Sequence, residues 1–141
     1  MLIAVNAGNS RVLLGGYEED GQVFSASIAT EPKLTRDDYA CKLQQVLLLY
    51  GVNVRRIHGG IVSSVVPSMV GVLEGALRLL GIRDVIEVSS GVKTGLNIRS
   101  EQPRQVGSDR VAAAVAARAK GKLPCVAITL GTATTFTALD G

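Results

Sequence analysis

Two short aliphatic runs, Leu2 to Val5 and Val12 to Tyr17, flank Asn6-Ala7-Gly8-Asn9-Ser10, a string of residues that favour turns. That pattern predicts a strand, a tight turn and a returning strand. A second turn at Glu18-Glu19-Asp20-Gly21 leads into Gln22 to Ile28, where polar and apolar residues alternate as in a half-buried strand. The chain therefore opens as a three-stranded antiparallel meander. The period then changes. Thr35 with Asp38 three residues later makes a near capping box, and Tyr39, Leu43, Val46, Leu47 and Tyr50 recur at helical spacing up to Gly51. This is a helix with a core-facing stripe that includes Tyr50.

Ile57 to Val66 reads as a strand, and His58 within it as a structural histidine. Pro67-Ser68 opens a second helix through Val70, Leu73, Leu77 and Leu80, stopped by Gly81, and Val85 to Val88 is a further short strand. Residues 89–107 are irregular and marked by Gly and Pro, and Arg110 to Lys120 is an Ala-rich helix of high intrinsic propensity. An antiparallel meander followed by alternating helices and strands gives an α/β domain of ribonuclease-H-like type.

The last segment repeats the first. Val126 to Leu130, then Gly131-Thr132-Ala133-Thr134, then Thr135 to Leu139 reads again as strand, Gly turn and strand. Val5-Asn6-Ala7-Gly8-Asn9-Ser10 lies in register with Ile128-Thr129-Leu130-Gly131-Thr132-Ala133. A repeat of this length implies two copies of one domain, the second present only as its first hairpin, with an apolar face and open edges left to a missing half or a partner.

Composition narrows the function classes. The chain has 141 residues, 47% of them hydrophobic and 19% charged, which suits a folded domain with a real core and excludes a disordered segment. Its longest apolar stretches, such as Val111 to Ala117, fall short of the ~18 residues of a membrane span, and Met1 runs into a strand rather than a signal peptide. A soluble, cytoplasmic protein is the expectation. The net charge of +3 is scattered and only 4% of residues are aromatic, so nucleic acid is a weak candidate and a phosphate-bearing small molecule a better one. Cys41 and Cys125 lie far apart in apolar contexts and there is a single His, which argues against metal or redox roles.

The chemistry resides in turns and one helix start. A Gly-containing turn with small hydroxyl and amide residues presents backbone N–H groups to an anion, and two such turns facing each other would clasp a polyphosphate; each alone also reads as an ordinary hairpin turn. In Gly107-Ser108-Asp109-Arg110, Asp109 is placed as an N-cap of the Ala-rich helix. The same carboxylate would also serve as a base for a substrate hydroxyl, beside an Arg that can hold a carboxylate or phosphate. Gly91-Val92-Lys93-Thr94-Gly95 reads as a Gly-flanked loop carrying a cation, or as a plain solvated loop.

Five segments, in order and over nearly the whole chain, resemble the type III pantothenate kinases. Asn6-Ala7-Gly8-Asn9-Ser10 resembles the D-x-G-N-[TS] phosphate motif of that family, and Ile61-Val62-Ser63-Ser64-Val65-Val66-Pro67 its S-S-V-V-P segment. Gly91-Val92-Lys93-Thr94-Gly95-Leu96 is similar to G-V-K-T-G-L, and Pro103-Arg104-Gln105-Val106-Gly107-Ser108-Asp109-Arg110 to P-R-[EQ]-V-G-A-D-R. Gly131-Thr132-Ala133-Thr134-Thr135-Phe136 is similar to the G-T-A-T-T-F motif of the second domain.

The resemblance implies an actin/hexokinase-type fold with residues 1–122 as a first domain and 123–141 as the start of a second. It implies ATP-dependent phosphorylation of pantothenate in coenzyme A biosynthesis, with Mg²⁺ and a monovalent cation, K⁺ or NH₄⁺. It implies a homodimer, or a heteromer with another kinase-like chain. Asp109 would be the general base, with Ser100, Gly107, Ser108 and Arg110 around pantothenate. Asn6, Ala7, Gly8, Asn9, Ser10, Arg11, Val12 and Leu13 would line ATP together with Gly131 and Thr132, and Thr129 stands at the monovalent-cation position. Three residues depart from the pattern: Asn6 and Thr129 replace Asp, and Ser100 replaces a Tyr that packs on pantothenate. These losses support an alternative, a non-catalytic subunit or regulatory pseudokinase that completes a site with a partner chain.

Overall fold

The computed structural model describes residues 1–89, 91–102, 105–130 and 133–141. The chain forms two compact units, Met1–Glu87 and Val88–Gly141.

In the first unit, β1 (Leu2–Ala7), β2 (Arg11–Glu18) and β3 (Gly21–Ala29) form the expected meander. Helix α1 (Arg36–Leu49) then crosses to β4 (Gly59–Ser64), which lies parallel to β1. Helix α2 (Pro67–Leu79) crosses to β5 (Val85–Glu87), parallel to β4, giving a five-stranded sheet in the order β3-β2-β1-β4-β5. The strand period of two sends Ile3, Val5 and Ala7 to one face, with Val12 and Leu14 beside them on β2. All five are buried against the stripes of the two helices, Tyr39, Leu43 and Leu47 on α1 and Met69, Leu73 and Leu77 on α2.

The caps follow the local sequence. Thr35 is the α1 N-cap: its hydroxyl accepts from the Asp38 N–H at 3.3 Å, and the Asp38 carboxylate accepts from the Thr35 N–H at 2.9 Å, a complete capping box. Hydrogen bonds from Thr35 hold the Asp38 carboxyl below its usual value of 3.8. Gly51 and Gly81 follow the helix ends at φ +67° and +91°, a backbone region open to glycine.

Two expectations are corrected. Tyr50 is not part of the α1 core stripe. It is the C-cap, half-exposed, and its ring meets Phe24 at a centroid distance of 5.1 Å. His58 is not inside a strand: a single 3₁₀ turn at Val54–Arg56 intervenes, Asn53 capping it, and β4 begins only at Gly59. His58 is exposed, its N–H donating to the Met1 carbonyl at 3.2 Å.

The second unit holds α3 (Ser108–Lys120), β6 (Cys125–Leu130) and β7 (Thr134–Leu139), the last two an antiparallel hairpin. Val111 and Ala114 are the buried apolar residues of α3. No helix is long and apolar enough to cross a membrane among the described residues.

Because Leu73 is fully buried between α2 and the sheet, Leu73→Ala is expected to lower the stability of the first unit by about 2–5 kcal/mol in denaturant titration. The depressed Asp38 pKa contributes stability that is present above the usual carboxylate range and lost as pH falls through the lowered folded value. Thr35→Ala should therefore flatten the acid limb of the denaturation midpoint between about pH 5 and 2.

Candidate functional site

The first candidate turn, between β1 and β2, is held by three hydrogen bonds. The Gly8 N–H donates to the Arg11 carbonyl at 2.9 Å and closes the turn. The Thr30 hydroxyl, at the end of β3, donates to the Gly8 carbonyl at 2.8 Å, and the Thr30 N–H to the Ser10 carbonyl at 3.0 Å. Gly8 is thus a structural donor, and Asn9 and Ser10, both exposed, form the tip that can meet an anion. Val12 is buried in the core, whereas Arg11 and Leu13 are exposed.

The Ser-Ser-Val-Val-Pro segment ends beside this turn. Ala7 pairs with Ser64 across β1 and β4, the Val65 N–H donates to the Ala7 carbonyl at 3.0 Å, and the Ser64 hydroxyl donates to the Val66 carbonyl at 2.9 Å. Pro67 then starts α2, so the positive end of a helix dipole opens next to the turn. Asn6 precedes the turn on β1. Its Oδ1 is buried and, among the described residues, has no hydrogen-bond partner, an acceptor left open on the sheet face opposite the helices. Thr30 and Ser64 were not singled out from the sequence. The Ser-Ser-Val-Val-Pro pattern signalled Ser64, whereas nothing local marks Thr30, whose role arises from a contact 22 residues away.

The second candidate lies in the other unit, at the start of α3. The N-cap is Gly107 rather than Asp109, which sits in the first turn of the helix. The helix begins two residues earlier than its Ala-rich pattern suggests, because Ser108 is buried and takes the first helical position. A Cβ at Gly107 would stand 2.5 Å from Asp109 Oδ1, so a larger residue there would push the carboxylate aside. The half-buried Asp109 carboxylate folds back over Gly107 at the helix N-terminus. Arg110 is tied to the hairpin, its Nε donating to Thr137 Oγ1 at 3.5 Å and its Nη2 to the Phe136 carbonyl at 3.4 Å.

A cavity of about 380 Å³ opens along α3, between the 95–100 segment and β7. Leu96, Ile98, Val111 and Leu139 give it an apolar wall, and Arg99, Arg110 and Arg118 place three guanidinium groups along it, that of Arg99 paired with the Asp140 carboxylate at 3.4 Å. Arg118 also donates to the Gly95 carbonyl and so pins the 95–100 segment to α3. Of the candidate acceptor-site residues, Ser100 and Arg110 line this cavity, while Gly107, Ser108 and Asp109 form the adjoining helix start. An apolar wall with a cationic rim suits a small molecule with an aliphatic body and an anionic end. Thr129 is half-buried on β6, paired with Thr135, whose Oγ1 is buried without a hydrogen-bond partner among the described residues. Gly131 and Thr132 lie outside the described residues.

The family profile described as type III pantothenate kinase matches residues 2–141. The chain belongs to the type III pantothenate kinase family. Curated relatives with that name include one from Syntrophotalea carbinolica, 40% identical over 136 residues, and one from Geobacter sulfurreducens, 36% identical over 137; in each case 96% of this chain and 53% of the relative are covered. This family member thus spans about half the length of the curated relatives it matches.

Two solved structures share its fold at low sequence identity. A Porphyromonas gingivalis protein described as an N-acetylglucosamine kinase matches all of this chain and 45% of its own, at TM-score 0.58 and 17% identity. A Sinorhizobium meliloti protein described as a 2-dehydro-3-deoxygalactonokinase matches all of it and 50% of its own, at TM-score 0.52 and 14% identity. The likeness shows an α/β fold of the actin- and hexokinase-like sugar kinases.

Arg118→Ala should release the 95–100 segment while leaving α3 formed. The expected result is faster amide exchange across 95–100 with unchanged exchange in β1 and β4, read by hydrogen–deuterium exchange mass spectrometry.

Proposed function

We propose that this chain supplies the phosphate turn and the acceptor-hydroxyl base of an ATP-dependent pantothenate kinase acting in coenzyme A biosynthesis. The observation that carries the proposal is the helix start at Gly107, where a glycine leaves room for the Asp109 carboxylate beside a cavity with an apolar wall and three arginines, two of them not paired with Asp140. Pantothenate, an aliphatic chain with a carboxylate at one end and a hydroxyl at the other, suits that cavity. Arg110 or Arg118 would hold the carboxylate, and Asp109 would accept the proton of the hydroxyl as it attacks the γ-phosphorus of ATP. Transfer of a phosphoryl group rests on positioning and charge neutralisation, which is why the site needs few reacting side chains. Asn9 and Ser10 at the first turn and the N-terminus of α2 would meet the phosphates, with Gly131 and Thr132 assigned by the family motif. Residues 1–122 are read as the first actin-like domain and 123–141 as the opening of a second, in a cytoplasmic protein that acts as a homodimer or with a kinase-like partner.

The fit of cations differs between the two positions. The described residues gather no group of three or more His, Cys, Asp or Glu. The neutral Asn6 Oδ1, buried and unpartnered, suits a hydrogen bond from a cation's water and not direct neutralisation, so Mg²⁺ would be held chiefly by the nucleotide phosphates. Thr129 presents no charge for a monovalent cation, and no step is assigned to one.

The absence of a carboxylate at Asn6 and Thr129 also supports a second reading, a non-catalytic subunit that keeps the fold and completes a site in another chain. The two readings separate in one experiment. The chain is incubated with pantothenate, ATP, Mg²⁺ and K⁺, alone and with the complementary portion of a full-length relative, and phosphopantothenate is measured by mass spectrometry. The kinase reading expects product that Asp109→Asn lowers by about 10²-fold or more. Product equally abundant with the variant, or none in any mixture, overturns it.

A further inference from the structure

Three guanidinium groups stand along the α3 cavity, and their commitments differ. Arg99 Nη1 pairs with the Asp140 carboxylate at 3.4 Å, so an anion that approached it would compete with a carboxylate already in place. Arg110 is drawn to the hairpin, its Nε donating to Thr137 Oγ1 and its Nη2 to the Phe136 carbonyl. Arg118, among the described residues, donates from Nη1 to the Gly95 carbonyl, and that acceptor is neutral. A guanidinium carries its N–H donors in a planar fork, so Arg118 keeps both its charge and a donor edge for a two-oxygen anion.

Position along the helix separates the arginines further. Arg110 follows Asp109 directly, whereas Arg118 lies on the same helix at about 13 Å from Asp109 along the axis, at 1.5 Å per residue. Val111 and Ala114, the buried apolar residues of α3, fall between these ends and also line the cavity. The order along the wall is thus carboxylate, apolar middle, cation. Pantothenate has the matching order of hydroxyl, aliphatic body and carboxylate. Its hydroxyl oxygen and carboxylate carbon are about 9 Å apart when extended, and a hydrogen bond of about 2.8 Å at each end brings the span to about 15 Å. With the hydroxyl at Asp109, the carboxylate falls well beyond Arg110 and at the level of Arg118.

We infer that Arg118 selects the acceptor: it receives the far carboxylate of a hydroxy acid laid along α3, while Arg110 positions the hairpin. The inference rests on the reading of this cavity as the pantothenate site and decides which arginine holds the acid. It makes α3 a gauge of acceptor length. A shorter hydroxy acid ends with its charge against Val111 and Ala114, and a neutral analogue leaves Arg118 without the charged hydrogen bonds that a carboxylate supplies.

The test is binding to the full 141-residue chain, measured by isothermal titration calorimetry. Three ligands are compared: pantothenate, its alcohol analogue with CH₂OH in place of the carboxylate, and the short hydroxy acid left when the amide bond of pantothenate is hydrolysed. Pantothenate should bind at least about tenfold more tightly than the alcohol, and Arg118→Gln should bring that ratio close to one. Arg118→Lys should retain part of the ratio, Arg110→Gln should leave it in place, and the short acid should not respond to Arg118→Gln. Arg118 is exposed, so the variants should keep the far-UV circular dichroism of the parent chain. The glutamine keeps an N–H for the Gly95 carbonyl, and any loosening of the 95–100 segment weakens pantothenate and the alcohol alike, so the ratio reports the charge. A preference for the acid that survives Arg118→Gln, or one that Arg110→Gln removes, overturns the inference. So does an equal loss for the short acid. Those results leave phosphoryl transfer to pantothenate standing, whereas a chain that binds neither pantothenate nor its alcohol refutes the inference and the acceptor-site reading together.

Discussion

The fold turns on the pairing of β1 with strands on both sides. Its six residues are hydrogen-bonded to β2 in one direction and to β4 in the other, so its register cannot shift without breaking both ladders. A slip of one residue would exchange Ile3, Val5 and Ala7 for Leu2, Ala4 and Asn6 beneath the helices. That would put an amide in the core and move Gly8 out of the position where its N–H closes the turn. The same alternation that buries the apolar residues thus aims Asn6 away from the helices and sets the turn at the end of the strand. Core packing and the placement of the Gly8 turn are one constraint.

Much of this architecture was legible in the sequence because local signals agreed with one another. The capping box at Thr35, the proline at the start of α2 and the glycines after α1 and α2 all fall where the hydrophobic periods change, and the elements begin and end there. The errors have physical causes. Tyr50 sits at helical spacing, but it is the C-cap, one residue past the end of α1, and its ring lies against Phe24. His58 lies in the two-residue link between a 3₁₀ turn and β4, and short turns of that kind leave no period to read.

The candidate site was legible in a different way. The Gly-Ser-Asp-Arg stretch and the Gly turns were found as motifs, yet their roles depend on contacts that no motif contains. Gly107 matters for the space it gives Asp109, Gly8 for a bond that closes its own turn, and Thr30 for a hydroxyl reaching across to that turn. The 380 Å³ cavity is the clearest case, since its walls come from a loop, a helix and a strand that share no sequence pattern. Family membership links these parts, and the shared fold of sugar kinases at 14–17% identity shows how little of the architecture depends on particular side chains.

The two bonds from Arg110 to β7 have a consequence for control. Arg110 follows Asp109 directly, and its guanidinium grips the Phe136 carbonyl and the Thr137 hydroxyl on the strand whose other face is bare. Whatever stiffens that strand from the bare side therefore also stiffens the first turn of α3. By thermodynamic linkage, a ligand that needs an ordered Asp109 will in return tighten the grip of whatever covers the strand.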